Sequence, residues 1–101
     1  MKEIRVNAET MMNDTREKYI IDLRKEKDFK AGSCEGAINI YWQEFESKML
    51  DFAKDKPMYL ICYTGETSDE FAGYLCKNGY EAYSIQEGYR GYKRWKLSQL
   101  M

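Results

Sequence analysis

The stretch "MYLICYTGETSDEFAGYL", residues 58–75, decides the fold. Its first residues form an apolar, β-prone run that ends in Cys62, and a loop containing Gly65 follows at once. From Ser68 the chain takes up helical periodicity. Ser68 reads as the N-cap, Asp69 and Glu70 as acids of the first turn, and Phe71, Ala72 and Leu75 as the apolar side. Asn78 and Gly79 supply the stop. An apolar strand that feeds directly into a helix is the repeating unit of an α/β sheet, and sites in such sheets lie beyond the carboxyl ends of the strands. Cys62 stands at such an end.

Working outward, the same pattern recurs in "YIIDL" (Tyr19 to Leu23), "GAINI" (Gly36 to Ile40) and "EAYSI" (Glu81 to Ile85), which makes four strands with "MYLIC" (Met58 to Cys62). Between them, Glu26 to Lys30 predicts a short helix. Tyr41 to Lys54 predicts a longer one, stopped by Pro57, the only proline. A last helix is expected from Tyr89 toward Gln99. Continuous apolar strands alternating with helices predict a parallel sheet covered on both faces, an α/β domain of three layers.

A chain of 101 residues fits one domain, expected to span 1–101. Sixteen basic and seventeen acidic side chains leave a net charge of -1, so no global field points to nucleic acid or an anionic membrane. The amino-terminal stretch is too polar for a secretory signal, and no apolar run approaches the ~20 residues of a membrane span. A cytoplasmic protein is expected. The cysteines, Cys34, Cys62 and Cys76, form no Cys-x-x-Cys pair, and histidine is absent. A disulfide scaffold, a Cys/His zinc site and histidine-based acid–base chemistry are therefore disfavoured, and no metal or cofactor is called for.

The chemistry of residue 62 follows from backbone geometry. A tight strand-to-helix loop such as "CYTGETS" turns successive N–H groups inward, and the following helix adds unpaired N–H groups and the positive end of its dipole. Such a concavity suits an anion. It favours the thiolate of Cys62 over the thiol and would equally hold a terminal sulfur bound to it as a persulfide. The alternative is a small buried hydrophobe at a strand end, the usual fate of a lone cysteine.

Four blocks in order, "IDLR" (21–24), "KDFKAGSCEGAINI" (27–40), "YLICYTGETS" (59–68) and "AGYLCKNGYEAYSIQEGYRGYKRW" (72–95), make the chain resemble a rhodanese-like domain from about Ile4 to Trp95. The resemblance implies a three-layer α/β domain with a parallel sheet of about five strands. It also implies that Cys62 is a sulfur-accepting nucleophile in a single-domain sulfurtransferase, with Tyr63, Thr64, Gly65, Glu66, Thr67 and Ser68 forming the active-site loop. Asp22 is expected to brace that loop, and Arg24 either joins it or lies exposed. The implied partners are a small sulfur donor and a thiol or protein sulfur acceptor, with no nucleic acid and no membrane.

Departures from the family pattern are specific. Where it reads Gly-His-Ile-x-Gly-Ala, this chain has Gly32, Ser33, Cys34, Glu35, Gly36 and Ala37; where it reads Leu-x-Gly-Gly, the chain has Ile85, Gln86, Glu87 and Gly88. Both are read as structural drift. No Arg or Lys follows Cys62 in the loop, and the Glu66 carboxylate opposes a nearby anion, which makes the loop poorer for small dianionic donors. Cys76 is expected to pack within its helix, while Cys34 is placed in a loop where exposure and a redox role stay open. Tyr89, Tyr92 and Trp95 alternate with Arg90, Lys93 and Arg94, and at helical spacing this reads as an aromatic side on the sheet with basic residues in water. Two other functional classes stay open. One is a binding or regulatory module on the same fold. The other, less favoured, is a related phosphatase, whose Cys-x5-Arg loop is longer than this one and carries an arginine where Ser68 stands.

Overall fold

In the computed structural model, which describes residues 4–101, the three residues that open the expected 1–101 domain lie outside the described residues. The strands are β1 (Arg5–Val6), β2 (Tyr19–Asp22), β3 (Ile38–Asn39), β4 (Met58–Ile61) and β5 (Ala82–Ile85). The helices are α1 (Ala8–Asn13), α2 (Glu26–Ala31), α3 (Trp42–Lys48), α4 (Glu66–Lys77) and α5 (Gly88–Ser98). The strands form one sheet in the order β1-β5-β4-β2-β3, and every pair is parallel.

Alternation along the strands divides the core into two halves. Ile21, Met58, Leu60 and Ala82 point to one face and pack with Phe45 of α3 and Phe71, Ala72 and Leu75 of α4. Ile20, Tyr59, Ile61 and Ile85 point to the other and pack with Ala8 and Met11 of α1 and Tyr92 of α5. All four residues of β4 are buried, which is what a central parallel strand requires. The register Ile21↔Leu60 and Leu60↔Ser84 brings the carboxyl ends of β2, β4 and β5 side by side.

The fifth strand and α1 were not legible in the sequence. β1 has only two residues, and α1 is held by a cap and two buried contacts rather than by a long periodic face. Asn7 Oδ1 accepts the Thr10 N–H at 2.8 Å, while Ala8 and Met11 turn inward. The helix expected over Tyr41–Lys54 is shorter: α3 stops at Lys48, a 3₁₀ turn covers Met49–Asp51, and Phe52 is already extended, well before Pro57. Phe52 leaves the helix to meet the Tyr19 ring edge-on at 5.1 Å. Among the described residues no helix is long and apolar enough to cross a membrane.

Candidate active site

Cys62 is the first residue beyond β4, and backbone bonds fix it from both sides. Leu23 N–H donates to Ile61 O at 2.7 Å, and Tyr89 N–H, in the first turn of α5, donates to Cys62 O at 2.8 Å. The chain then turns through Tyr63 and Thr64 to Gly65, whose left-handed backbone (φ 110°) is the N-cap of α4. Ser68 is therefore not the cap. The helix begins two residues earlier, at Glu66, because Gly65 makes the turn that an L side chain resists. Asp69 N–H closes the first turn onto Gly65 O at 2.9 Å.

That earlier start puts Ser68 inside the first turn, fully buried and pointing at the cysteine. Cys62 Sγ accepts the Gly65 N–H at 3.0 Å and lies 3.4 Å from Ser68 Oγ. Ser68 Oγ also lies 2.7 Å from Ser84 Oγ on β5 and donates to Gly65 O at 3.1 Å. Ser84 is as buried as Ser68. Its one sequence signal is a hydroxyl in the otherwise apolar strand "EAYSI", and only strand register shows that it lies below the loop. Of the six expected loop residues, Gly65 and Ser68 touch the sulfur. Tyr63, Thr64 and Glu66 are exposed and Thr67 is half-buried.

Asp22 and Arg24 both prove to be internal. Asp22 Oδ2 accepts Arg24 Nη2 at 2.8 Å and Ser33 Oγ at 2.6 Å; Oδ1 accepts Arg24 N–H and Nε, each at 3.0 Å. Arg24 Nη2 also donates to Gly32 O at 2.6 Å. Burial opposes the charge of Arg24, and the hydrogen bonds and charge of Asp22 outweigh it, so the guanidinium holds its proton more tightly than usual. Ser33, where the family pattern has histidine, closes this network with its hydroxyl.

The second departure has a structural consequence. Glu87 adopts φ 58°, the non-glycine residue with positive φ among the described residues, at the position where the family pattern has glycine. Gly88 follows at φ 56°, so close to the loop that a Cβ there would stand 2.2 Å from Cys62 O. Cys34 is buried rather than exposed, and burial first, then the charge of Asp22, pushes its thiol up well beyond the usual range. Cys76 is half-buried in α4 and directs Sγ to Ala82 O at 3.3 Å, as a packing role requires. Tyr92 is buried, with Tyr89 and Trp95 packed beside it, and Arg90, Lys93 and Arg94 are exposed.

Around the loop the charges are unevenly distributed. A cavity of about 300 Å³ on one side is bordered by Thr64, Gly65, Glu66, Asp69 and Glu87, with the Arg5–Asp69 pair (2.8 Å) at its edge. Glu66 stands in the first turn of α4, where a carboxylate also favours the helix dipole. No cluster of metal-ligating side chains occurs among the described residues.

Comparison with known proteins agrees with the fold described above. Residues 6–95 match the family model of the rhodanese-like domain. The chain is similar to a thiosulfate sulfurtransferase GlpE from Shewanella oneidensis, 29% identical over 89 residues that cover 87% of this chain and 88% of that protein. A GlpE from Vibrio cholerae is 28% identical over 95 residues, with coverage of 93% and 90%. Among solved structures, a rhodanese-like domain protein from Staphylococcus aureus superposes with a TM-score of 0.72 at 23% identity, covering 90% of each chain. A full-length protein from Lactobacillus plantarum gives 0.75 at 20% identity, covering 92% of this chain and 83% of that one. At these identities the solved structures speak for the fold alone.

Proposed function

This chain belongs to the rhodanese-like domain family, and from that premise we propose that it is a sulfurtransferase that accepts sulfane sulfur on Cys62 and passes it to a thiol or other nucleophilic acceptor. In the loading step the Cys62 thiolate attacks the outer sulfur of a donor such as thiosulfate. The donor's S–S bond breaks, sulfite leaves with the bonding pair, and Cys62 carries a persulfide anion. In the discharge step an acceptor thiolate attacks the outer sulfur, the bond to Sγ breaks, and the Cys62 thiolate returns. Electrons balance over the cycle.

The observation that carries this reading is the Gly65 N–H, 3.0 Å from Sγ at the mouth of α4. An amide donor and the positive end of a twelve-residue helix both favour a sulfur anion there. Ser68 Oγ lies 3.4 Å from Sγ, a second polar contact in which either atom can be the donor. The Asp22–Arg24–Ser33 network acts at a distance, by holding the chain segment that follows β2. A phosphatase is disfavoured, since the segment from Cys62 to Ser68 contains no arginine to clamp a phosphoryl group.

Intact mass after incubation with thiosulfate is the test. One added sulfur atom is expected, removed by cyanide or a reductant, absent in Cys62→Ser and retained in Cys34→Ser and Cys76→Ser. A protein that gains no sulfur from thiosulfate or from organic persulfides is instead a binding module on this fold.

A further inference from the structure

Beside the loop, a cavity of about 210 Å³ that does not include Glu66 is lined by Arg24, Tyr63, Tyr89, Arg90 and Lys93. Three of its five lining residues are cations and none is an acid. The nearby carboxylates are engaged elsewhere: Asp22 holds Arg24, Asp28 accepts the Tyr63 hydroxyl, and Glu87 pairs with Arg94 at 2.7 Å. Arg90 and Lys93, one helical turn apart on α5, form no ion pair among the described residues. The walls are rigid. Arg24 lies over the Tyr89 ring at 4.0 Å and within 5.9 Å of the Tyr63 ring, and Tyr63 is held at its far end by Asp28 and the Lys25 N–H.

Arg24 forms the inner wall of this cavity. Its side chain is only 5% exposed. Nε and Nη2 are bonded to Asp22 and Gly32. Nη1 makes none of these bonds and is not among the buried polar atoms left without a partner, so it meets solvent where the residue lines the cavity. A guanidinium held in place with one edge open to solvent, two exposed cations and apolar ring surface match a planar carboxylate attached to a short carbon chain.

We infer that this cavity is a subsite for the carboxylate of a small organic thiol, the molecule that takes the outer sulfur from Cys62. The inference rests on the sulfur-carrier reading of Cys62 for its chemistry. Thiosulfate does not suit the cavity, because its charge and its reacting sulfur lie within one compact ion, and Cys62 is not among the lining residues. An organic thiol places its anionic group a few bonds from its sulfur, so the group can rest beside Tyr63 while the sulfur reaches the loop. The positive charge missing from the loop is thus supplied by α5, from the motif whose basic residues the sequence assigned to water. In the transfer the acceptor's S–S bond forms as the Cys62 S–S bond breaks, and the new persulfide leaves with the outer sulfur and its charge. The cavity is smaller than the ~300–1,000 Å³ typical of drug-sized ligands, which limits the occupant to a group of this size.

Two measurements test it, one of which needs no bound sulfur. The first compares alkylation of Cys62 by 3-bromopropionate and by 3-bromopropionamide, whose charged or neutral end lies a few bonds from the reacting carbon, read by peptide mass. The ratio of the two rates is expected to exceed that of free cysteine in the same buffer. It should fall about threefold in Arg90→Gln/Lys93→Gln, the size expected for exposed charges screened over ~8 Å, and the fall should shrink with salt. Lys96→Gln, on the same helix but outside the cavity, should keep the parent ratio. An unchanged ratio in the double variant, an equal change in Lys96→Gln, or a Cys62 closed to both reagents would overturn the subsite. The second measurement follows discharge of the loaded protein by 3-mercaptopropionate and by 2-mercaptoethanol, and the preference for the acid should fall in the double variant. If the alkylation ratio falls but no sulfur is ever loaded, the anion subsite stands and the sulfur-carrier reading fails. If sulfur loads and neither ratio moves, the subsite fails alone.

Discussion

Replacing Gly88 by Ala tests how tightly the fold and the cysteine loop are joined. The residue has φ 56°, and a Cβ there would lie 2.2 Å from Cys62 O and 2.8 Å from both the carbonyl carbon and oxygen of Tyr63. All three atoms are backbone, so no side chain can turn aside. A left-handed alanine costs about 1 kcal/mol. Restoring ordinary contact needs a backbone shift of roughly 1 Å, and overpacking of that kind costs about 1–3 kcal/mol. The shift also pulls Cys62 O away from the Tyr89 N–H, now 2.8 Å distant. The total is about 2–4 kcal/mol, against roughly 5–15 kcal/mol for the whole domain, so the variant folds but with reduced margin. With a urea slope of about 2 kcal/mol per molar, the unfolding midpoint should fall by about 1–2 M. If Cys62 carries sulfur as proposed, its loading should slow as well, because the displaced carbonyl belongs to that residue. Gly36→Ala is the control, with φ 84° but only Ile20 Cδ1 at 3.9 Å near the new Cβ. It incurs the backbone cost without the clash, about 1 kcal/mol. Equal losses in the two variants would refute the reasoning, since the close approach to Cys62 would then contribute nothing.

Other outcomes follow from the same geometry. Ser68→Ala removes a buried hydroxyl shared by Cys62 Sγ, Gly65 O and Ser84 Oγ, and should cost about 1–2 kcal/mol in a urea titration while slowing sulfur loading several-fold. Glu87→Gly places the conformationally free residue at φ 58° and should raise the melting temperature despite loss of the pairing with Arg94; a lower melting temperature would mean that the pairing outweighs the backbone strain. Folding raises the Cys34 thiol above its ordinary value near 9, so this cysteine contributes stability below that value that is lost as pH rises past it. Unfolding midpoints between pH 8 and 10.5 should therefore decline more steeply in the parent than in Cys34→Ala, as an order-of-magnitude expectation of about 1 kcal/mol per pH unit.

Much of the architecture was legible in local patterns. The mostly apolar, β-prone runs at 19–23, 58–62 and 81–85 form β2, β4 and β5, whose side chains are covered on both faces of the sheet, and Cys62 falls at the strand end that such sheets expose. Asn78 and Gly79 ended α4 as their type demands, with Gly79 at φ 89°. The sequence by itself thus determined the sheet, its parallel sense and the one cysteine beside an amide loop. What it did not determine depends on residues distant along the chain. β1 gains its identity from pairing with β5 across the chain, Arg5 opposite Ser84, and two residues carry no period of their own. Local preference favours serine as the cap at position 68; the tertiary structure gives that place to Gly65 and turns the hydroxyl inward, toward Cys62 and Ser84. Local sequence leaves Arg24 open between surface and interior, and only the folded chain closes Asp22, Ser33 and Tyr89 around it. Arg90 and Lys93 read as solvated charges because a helix reports only its own faces, and the cavity they line is made with Tyr63 and Arg24 from two other segments. Local sequence encodes backbone preference and burial period, whereas which donors and charges meet at one point is decided only when the sheet register and the helix packing bring them together.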